Sequence, residues 1–599
     1  MPSVNGQPAV SDIRRHAIFR TWQLLPKLGL VLAFLIGMRA TLAGPPMQRF
    51  SVVAAHPLAS QAAIQILRAG GSALDAAIAA QMVLTLVEPQ ASGIGGGAFL
   101  MHWDGRVMDA WDGRETAPAE ADERLFLQPD GRPMPFMQAV VGGRAVGVPG
   151  LLRMLEQAHR RHGQLPWEKL FEPAIELAEQ GFAITPRLHA QLQFGAERLR
   201  QDPLAGALYF GPQGLPHPVG FRLRNPALGQ LLRQIARGGS DVFYRGPIAA
   251  DMVSRVRSHG ANPGWLSEQD LAGYQPRRRQ ALCTDWLELW RVCGFPPPSS
   301  GHLTIMQMLG MLAALPAQGP DLQDGLPSSV WLHRYNEVAR LAFADRALYV
   351  ADPDFVQPPA GDWRSLLAPD YLRQRASLVG PRSMGTAAAG QPGAMRSAYV
   401  PQPTQAEYGT SHLSVVDGQG RVVAMTSTIE AVWGAHLMSD GGTGLPGGFF
   451  LNNQLTDFSF APSDGRGHPI ANRVQPGKRP RSSMSPTLVF RRGDGQLVLS
   501  AGSPGGAAII HYTAKSLIGT LLWGLSPQQA IELPNFGNFN GPTLLEQGRF
   551  SQSSIEAMKA LGHAVEEAPL VSGLHLLQRT PKGWVGGADP RREGLVLGD

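Results

Sequence analysis

The sequence predicts an α+β fold, because helical and strand-forming patterns occupy different parts of the chain. Between residues 150 and 280, apolar residues such as Leu170 and Ile175 recur at the spacing of a buried helix face. After Thr410 the chain instead alternates apolar and polar residues in short runs separated by glycine turns, which is typical of strands. Runs of helices and runs of strands kept apart along a chain favour an α+β architecture.

Composition indicates a globular protein. The chain has 599 residues, of which 44% are hydrophobic and 17% are charged. Its net charge of +6 comes from scattered basic residues without interleaved aromatic side chains, so we exclude nucleic acid as a partner. The 16 histidines show no metal-binding spacing, and we expect no metal and no other cofactor. Cys283 and Cys293 flank a predicted hairpin, where either a disulfide or two buried thiols would fit.

Residues 1–43 have the composition of a secretory signal peptide. Basic residues precede the apolar run Leu28–Met38, and the small residues at 41–43 offer a cleavage site. This run is shorter than the roughly 20 apolar residues that a membrane-spanning helix needs. We therefore expect an exported protein, periplasmic or secreted, with an uncleaved signal anchor as the alternative.

The segment after this signal follows the order strand, helix, helix. Val52–Ala55 is a short apolar strand, and Ser60 is placed to cap a helix that ends at Gly70. Ala73–Val87 is apolar on nearly all faces, which indicates a buried helix. The glycine run at 92–98 lacks the Lys-Ser/Thr step of a phosphate loop and leads into a strand. We interpret it as a place of close backbone packing.

Thr410 opens a predicted hairpin. A turn centred on Gln419 would place Val415 opposite Val423 and Thr410 opposite Thr428, so that two hydroxyl groups lie side by side. Most Gly-Thr steps are ordinary strand starts. A threonine that becomes a chain N-terminus, however, carries both a nucleophile and a base, its own α-amine.

A second hairpin, turned at Gly493, would place Ser483 opposite Ser503. Just beyond it, Gly505 and Gly506 begin a predicted helix. Two backbone N–H groups that no side chain covers can bind an anion at a helix start. Small residues at these positions would also fit an ordinary helix N-terminus without a ligand.

Residues 351–405 are rich in proline, glycine and alanine, which predicts an exposed, mobile linker. This segment ends just before Thr410. A mobile segment leading to a reactive threonine would suit a junction that cleaves itself.

Seven motifs give the chain a family resemblance. From about Val52 to near its C-terminus, it resembles the γ-glutamyltranspeptidases of the N-terminal-nucleophile (Ntn) hydrolase superfamily. The resemblance implies a four-layer αββα sandwich and a precursor that cleaves itself before Thr410. The implied products are a large subunit, residues 44–409, and a small catalytic subunit, residues 410–599, which stay together. The motifs are Gly93–Gly97, Arg114–Pro118, Pro296–Gly301, Thr410 with Val415–Asp417, Asn452–Gln454 with Asp457–Phe458, Ser482–Thr487 and Gly502–Gly506.

The resemblance also implies an activity and a role for each matching position. The activity is cleavage of the γ-glutamyl amide of glutathione and related compounds through a γ-glutamyl-threonine intermediate, which passes to water, an amino acid or a peptide. The implied catalytic residues are Thr410 as the nucleophile, Thr428 as its hydrogen-bonding partner, and Gly505 and Gly506 as the oxyanion hole. The implied binding residues are Arg114, Ser482 and Ser483 for the α-carboxylate, and Gln454, Asp457 and Glu430 for the α-ammonium group.

Two features depart from the family pattern. Glu430 stands where the best-known members have asparagine, and it adds a negative charge beside the predicted head group. Between residues 459 and 480 there is no tyrosine for the aromatic lid of some bacterial members, and Phe460 is the only aromatic residue.

Two alternative functions remain: an amidase of the cephalosporin or glutaryl acylase type, and an inactive relative that serves as a scaffold. Arg114 and Asp457 together favour a zwitterionic head group over the acylase alternative.

Overall fold

The computed structural model describes residues 46–394, 398–403 and 409–599. The predicted signal peptide, residues 1–43, lies outside these ranges, and so does part of the predicted linker. Within the described ranges, every helix is too short or too polar to span a membrane.

The helices lie mainly before Thr410, as predicted from the spacing of apolar residues. The described α-helices are α1 Pro57–Arg68, α2 Ala73–Val87, α3 Phe136–Val140, α4 Leu151–His162, α5 Glu172–Gln180, α6 Pro186–Leu199, α7 Pro203–Tyr209, α8 Pro226–Gly238, α9 Asp241–Tyr244, α10 Pro247–Arg257, α11 Glu268–Gly273, α12 Gly301–Ala314, α13 Ser329–Tyr349, α14 Pro369–Ala376, α15 Ile509–Leu517, α16 Pro527–Glu532 and α17 Gln552–Ala560. Short 3₁₀ helices include Gln454–Asp457 and Gly506–Ala508.

The strands come from both parts of the chain. The described strands are β1 Ser51–Ala54, β2 Gly97–Trp103, β3 Met108–Asp112, β4 Phe182–Ala183, β5 Arg222–Leu223, β6 Arg277–Arg279, β7 Leu282–Trp286, β8 Trp290–Gly294, β9 Leu322–Gln323, β10 Leu326–Pro327, β11 Ser411–Val416, β12 Val422–Thr428, β13 Met438–Ser439, β14 Phe449–Phe450, β15 Thr487–Arg491, β16 Leu497–Gly502, β17 Phe536–Asn538, β18 Thr543–Glu546, β19 Val565–Ala568, β20 His575–Thr580, β21 Gly583–Ala588 and β22 Leu595–Gly598.

Two large antiparallel sheets form the centre of the fold. The first has the strand order β22-β1-β11-β12-β2-β3-β6, and the second has the order β21-β20-β16-β15-β8-β7. Each sheet therefore joins strands from before Thr410 to strands from after it. A cut before Thr410 would leave both sheets held by interstrand hydrogen bonds between the two products.

The two sheets pack face to face, with helices on both outer faces. Between the sheets, Phe99 stacks on Phe295 with 4.2 Å between ring centroids, and Trp103 contacts Phe490 edge-on at 5.0 Å. On the outer face of the first sheet, Val415 packs in the same apolar cluster as α1 and α2. On the outer face of the second, β15 and β16 pack against α12, α13 and α15. This arrangement confirms the predicted αββα sandwich.

The first predicted hairpin has the predicted register. Val415 pairs with Val423, and the ladder continues to Ser411 opposite Ser427. Asp417 fixes the turn, since its Oδ1 accepts the N–H groups of Gln419 and Arg421 at 2.9 and 3.0 Å. Thr410 and Thr428 are the next positions at the open end of this ladder.

The predicted register of the second hairpin is wrong. Thr487 pairs with Ala501 and Val489 with Leu499, which is a shift of two residues from the register that a turn centred on Gly493 would give. The ladder is irregular between Val489 and Phe490, because a bulge there places an extra residue in one strand. The predicted pairing of Ser483 with Ser503 is therefore absent from the described ladder.

The predicted cap at Ser60 is also wrong. His56 is the N-cap of α1, and its Nδ1 accepts the N–H of Leu58 at 3.2 Å. Pro57 occupies the first helical position, which suits its fixed φ and missing N–H. Ser60 instead lies inside the helix, and its Oγ donates to the carbonyl of Leu595 at 2.7 Å.

The segment predicted as an exposed linker is partly structured and buried. Residues 369–376 form α14, in which Tyr371 and Leu372 are buried. The hydroxyl of Tyr371 donates to Asp345 Oδ2 at 2.6 Å, which ties the segment to α13. The prediction failed because the proline and alanine content of the segment hid this short amphipathic helix.

The two cysteines, for which a disulfide or two buried thiols would fit, form a disulfide. Cys283 and Cys293 face each other across the hairpin of β7 and β8.

Candidate active site

Thr410 lies buried at the start of β11, in a backbone conformation that is unusual for threonine. Its φ is +150°, and Gly409 before it has a φ of +46°. A Cβ on Gly409 would lie 2.0 Å from the carbonyl oxygen of Glu430, so only glycine fits there. Non-glycine residues with positive φ are strained, and such strain is concentrated at functional sites. The junction before Thr410 therefore stores backbone strain.

The glycine run before β2 allows close contact with the strand that ends in Thr428. A Cβ on Gly96 would lie 2.1 Å from the carbonyl oxygen of Thr428, and one on Gly95 would lie 2.2 Å from that of Phe450. This confirms our interpretation of the run as close backbone packing. Because glycine has no side chain, the backbone at Gly96 can lie directly against the end of β12, next to Thr410.

A small cavity of about 20 Å³ adjoins Thr410, and we call it the inner cavity. Every site residue predicted from the sequence lines it except Gly505, which lies next to the lining residue Gly506. The roles of these residues stay predictions. The lining consists of Arg114, Thr410, Thr428, Glu430, Gln454, Asp457, Ser482, Ser483, Met484, Gly506 and Ile509.

Arg114 provides the positive charge of the inner cavity. It follows β3, and its backbone N–H donates to Asp112 Oδ1 at 3.0 Å. Its guanidinium forms an ion pair with Asp457 and donates to the carbonyls of Pro480 and Arg481 at 3.2 and 3.0 Å. These contacts fix the fully buried guanidinium in one orientation.

Glu115 is a buried carboxyl group beside Arg114 that sequence reasoning did not single out. Its Oε2 lies 3.9 Å from Arg114 Nη1. Burial raises the pKa of Glu115 to about 8, although the charge of Arg114 opposes the shift. At neutral pH this residue is therefore mainly protonated, and it adds little negative charge next to the arginine.

Asp457 and Gln454 lie on one 3₁₀ helix and provide oxygen acceptors. Gln454 Nε2 donates to Asp457 Oδ2 at 2.8 Å, which fixes the orientation of the amide. Gln454 Oε1 is buried and has no hydrogen-bond partner among the described residues. Buried acceptors are normally satisfied, so this atom is suited to a donor on a bound ligand.

Glu430 is buried at the edge of the same cavity, with a φ of +77°. Its carboxylate accepts from Asn453 Nδ2 and, at 3.3 Å, from Thr456 Oγ1. Its backbone N–H donates to Thr428 Oγ1 at 2.8 Å. Because Thr428 Oγ1 accepts this bond, its own proton remains available to a neighbouring acceptor. Sequence reasoning missed the supporting roles of Asn453 and Thr456, although Asn453 lies within a quoted motif.

The two serines reach the cavity from the segment before β15. Arg346 Nη2 donates to Ser483 Oγ at 2.6 Å, and the N–H of Met484 donates to Ser482 Oγ at 3.1 Å. The backbone at Ser482 also bonds to residues of the Pro296–Gly301 motif, since its N–H donates to the carbonyl of Pro298 at 2.9 Å. Two distant sequence motifs are thereby joined at one wall of the site.

Gly505 and Gly506 begin a 3₁₀ turn that leads into α15, as predicted for a helix start. Their φ values are +132° and +57°, which are accessible to glycine. A Cβ on Gly505 would lie 2.6 Å from the ring of Tyr512. Both positions therefore require glycine, on conformational grounds at Gly506 and also on steric grounds at Gly505.

Arg592 is a further site residue that sequence reasoning missed. Its Nη1 donates to the carbonyl oxygen of Thr410 at 3.0 Å. Burial, together with the neighbouring charge of Arg187, lowers the pKa of Arg592 to about 10. No spacing rule could have found it, because an arginine near the C-terminus reaches Thr410 only through the fold.

Phe460 does not serve as a lid residue in this structure. It is buried and stacks on Phe126 with 4.4 Å between ring centroids. Phe460, the only aromatic residue between residues 459 and 480, therefore packs in a small apolar core beside the site.

Comparisons with known proteins agree with this geometry. The family model described as gamma-glutamyltranspeptidase matches residues 59–598. A glutathione hydrolase proenzyme of Bacillus subtilis (strain 168) is 34% identical over 91% of this chain and 91% of its own length. An acylase ACY 1 proenzyme of Pseudomonas sp. (strain SE83) is 33% identical over 90% and 91%, respectively.

A solved structure has the same fold over almost the whole chain. The cephalosporin acylase from Bacillus halodurans is 25% identical, with a TM-score of 0.80, over 94% of this chain and 98% of that chain. The family model covers most of the sequence, and the curated relatives exceed 30% identity over nine-tenths of it. This chain belongs to the γ-glutamyltranspeptidase family.

Proposed function

We propose that the protein is a self-processing γ-glutamyl hydrolase and transferase that acts on glutathione and related γ-glutamyl amides. The observation that carries this proposal is the inner cavity, where a threonine at a strained junction adjoins one guanidinium and two carboxylates. Relatives named glutathione hydrolase proenzyme support the substrate class.

The charges of the inner cavity suit a γ-glutamyl head group. The α-carboxylate of the substrate would bind Arg114, with Ser482 and Ser483 nearby. The α-ammonium group of the substrate would bind Asp457 and Glu430. An acyl group without the ammonium, such as glutaryl, would bring no positive charge to these two buried carboxylates. This favours γ-glutamyl substrates over the acylase alternative, although acylases are among the similar proteins.

Processing would begin with attack of Thr410 Oγ on the carbonyl carbon of Gly409. The C–N bond breaks as the ester bond forms, and water then hydrolyses the ester. The products are a carboxylate at Gly409 and a free α-amine and hydroxyl on Thr410. Release of the strain at this junction would favour the first step. The subunits, residues 44–409 and 410–599, would remain one heterodimer because both sheets cross the cut.

The mature enzyme would then use the new α-amine of Thr410 as its general base. The amine accepts the Oγ proton as Oγ attacks the γ-glutamyl carbonyl, and the N–H groups of Gly505 and Gly506 stabilise the oxyanion. The leaving amine takes the proton, and a γ-glutamyl ester of Thr410 remains. Water or the amine of an amino acid or peptide then releases the γ-glutamyl group.

The protein would act outside the cytoplasm. The composition of residues 1–43 and the disulfide between Cys283 and Cys293 support export, since disulfides persist in oxidising compartments. The periplasm or the medium is the proposed location.

A pair of substrates tests the proposed activity. We expect the purified protein to release the chromophore from a γ-glutamyl anilide and to cleave glutaryl-cephalosporin at least about 100-fold more slowly, because the glutaryl group lacks the ammonium. Initial rates at equal enzyme concentration measure both. Faster cleavage of the glutaryl compound would establish the acylase alternative, and cleavage of neither would support an inactive scaffold.

Arg114→Lys tests how the head group is bound. Lysine keeps the charge but loses the planar fork, so we expect KM for the γ-glutamyl anilide to rise by about 10–100-fold, equivalent to roughly 1.5–3 kcal/mol. The value of kcat should change less. Arg124→Lys is the matched control, because Arg124 is an exposed arginine paired with Asp122. An unchanged KM in Arg114→Lys would show that Arg114 does not hold the α-carboxylate.

A further inference from the structure

A polar cavity lies between the ends of α6 and α10 and the loop before β13. It has a volume of about 140 Å³, and we call it the polar cavity. A protein cavity of about 150 Å³ is large enough to hold benzene, so this one has room for a ligand the size of sulfate or phosphate. Among the described residues, its lining shares no member with the lining of the inner cavity.

One positive charge in the polar cavity has no counter-charge. Arg198, in the last turn of α6, lines the cavity, and its guanidinium makes no hydrogen bond or ion pair with any described residue. Arg255 is engaged, since it pairs with Asp202 and its Nε donates to the carbonyl of Met438 at 2.9 Å. Asp202 is the only acidic residue in the described lining. The charge of Arg198 is therefore left unbalanced, and such a charge attracts a ligand of the opposite sign.

His436 lines the same cavity and lacks partners for its ring. The residue is 7% exposed, and its buried Nδ1 has no hydrogen-bond partner among the described residues. Its Nε2 makes no hydrogen bond in the described part of the chain either. Burial, together with the charge of Arg198, lowers the pKa of His436 to about 4, so the ring is neutral at neutral pH and has one N–H to donate. Buried polar groups are normally hydrogen-bonded, which indicates that a ligand completes this site.

His259 supplies another donor to the polar cavity. Its Nδ1 accepts the N–H of Asn262 at 3.2 Å, so the proton of the neutral ring is on Nε2. Burial lowers the pKa of His259 below its ordinary value, which keeps the ring neutral at neutral pH. The cavity thus combines a guanidinium with two imidazole N–H groups, while its one carboxylate is already paired. A site rich in donors suits a ligand made of acceptor oxygens.

We propose that the polar cavity binds a small tetrahedral oxyanion, such as sulfate or phosphate. Arg198 would form charge-assisted hydrogen bonds with two of its oxygens, and the imidazoles of His259 and His436 would donate to the others. The inference is independent of the proposed γ-glutamyl activity, because none of these residues lines the inner cavity. Since His436 follows Thr410 in the chain and the other two residues precede it, the anion would contact both products of the proposed cleavage.

Calorimetric titration with sodium sulfate tests the inference. Sodium chloride keeps the ionic strength constant, so that general screening does not change during the titration. We expect saturable binding to the wild-type protein. Arg198→Gln should weaken the affinity for sulfate by about tenfold or more, the contribution of one charge-assisted hydrogen bond. Sodium phosphate should show the same dependence on Arg198.

Arg200→Gln is the matched control for the loss of one positive charge. Arg200 is the C-cap of the same helix, α6, but it is exposed and donates to the carbonyls of Ala196 and Gly214. This variant should bind sulfate with wild-type affinity. Circular dichroism in sulfate-free buffer checks that both variants are folded.

A second measurement uses the wild-type protein alone. Sulfate should slow the modification of Arg198 by phenylglyoxal, as measured by peptide mass spectrometry, and leave the modification of Arg200 unchanged. Failure of both anions to bind saturably would overturn the inference. An unchanged affinity in Arg198→Gln, an equal loss in Arg200→Gln, or unprotected Arg198 in the presence of sulfate would also overturn it, because the anion would then lie elsewhere.

Discussion

Thr410→Ala is expected to abolish both self-cleavage and activity. Alanine has no hydroxyl to attack the carbonyl of Gly409, so the variant should migrate as one intact chain on a denaturing gel. Hydrolysis of the γ-glutamyl anilide should fall by at least about 10⁴-fold, as it does when a catalytic nucleophile is removed. The wild-type protein should give two bands, and N-terminal sequencing of the smaller should begin at Thr410.

Thr410→Ser is the matched control, since it keeps the hydroxyl and loses only a methyl group. It should still be processed and retain measurable activity, which separates loss of the nucleophile from disturbed packing at this buried position. A smaller band that begins at any other residue would show that Thr410 is not the nucleophile. Two bands from Thr410→Ala would lead to the same conclusion.

Local signals were sufficient to predict the hairpin that carries Thr410. Asp417 and Gly420 define its turn, and Gly420 has a φ of +77°. The register of the strands follows from the turn alone. The same reasoning failed for the second hairpin because the bulge at Val489 and Phe490 depends on how the strand packs in the sheet, which no local pattern records.

The polar positions of β11 show another limit of sequence patterns. Alternation of apolar and polar residues predicts a strand, but not what covers its polar face. Here that face is buried between the sheets. Ser414 Oγ bonds to Ser500 Oγ at 2.7 Å, and His412 Nδ1 bonds to Thr426 Oγ1 at 2.8 Å. The partners lie on different strands, so the pairing depends on tertiary structure.

Some residues around Thr410 could be predicted from the sequence, and others could not. Arg114 and Asp457 could be named from the sequence because they stand in motifs that resemble those of the family. Arg187 and Arg592 could not, because a single arginine carries no spacing signal and acquires a neighbour only when the chain folds. The inner cavity was therefore largely predictable from the sequence, whereas the arginine that bonds to the carbonyl of Thr410 was not.

Gly505→Ala is expected to reduce kcat by about 100-fold or more. The φ of Gly505 is +132°, and an added Cβ would lie 2.6 Å from the ring of Tyr512. Alanine keeps the N–H group, but the backbone must move to relieve this contact, and the N–H then no longer points at the oxyanion. Loss of one oxyanion donor costs about 2.7–4 kcal/mol in comparable enzymes.

The measurement is kcat for the γ-glutamyl anilide per mole of processed enzyme, because the same backbone shift could also slow self-cleavage. Gel densitometry gives the processed fraction, and KM should change less than kcat since Gly505 does not line the inner cavity. Gly493→Ala is the matched control, because Gly493 lies in the turn before β16, with no atom within 4 Å of an added Cβ. If Gly505→Ala keeps a kcat within threefold of wild type while Gly493→Ala behaves normally, the oxyanion is stabilised elsewhere.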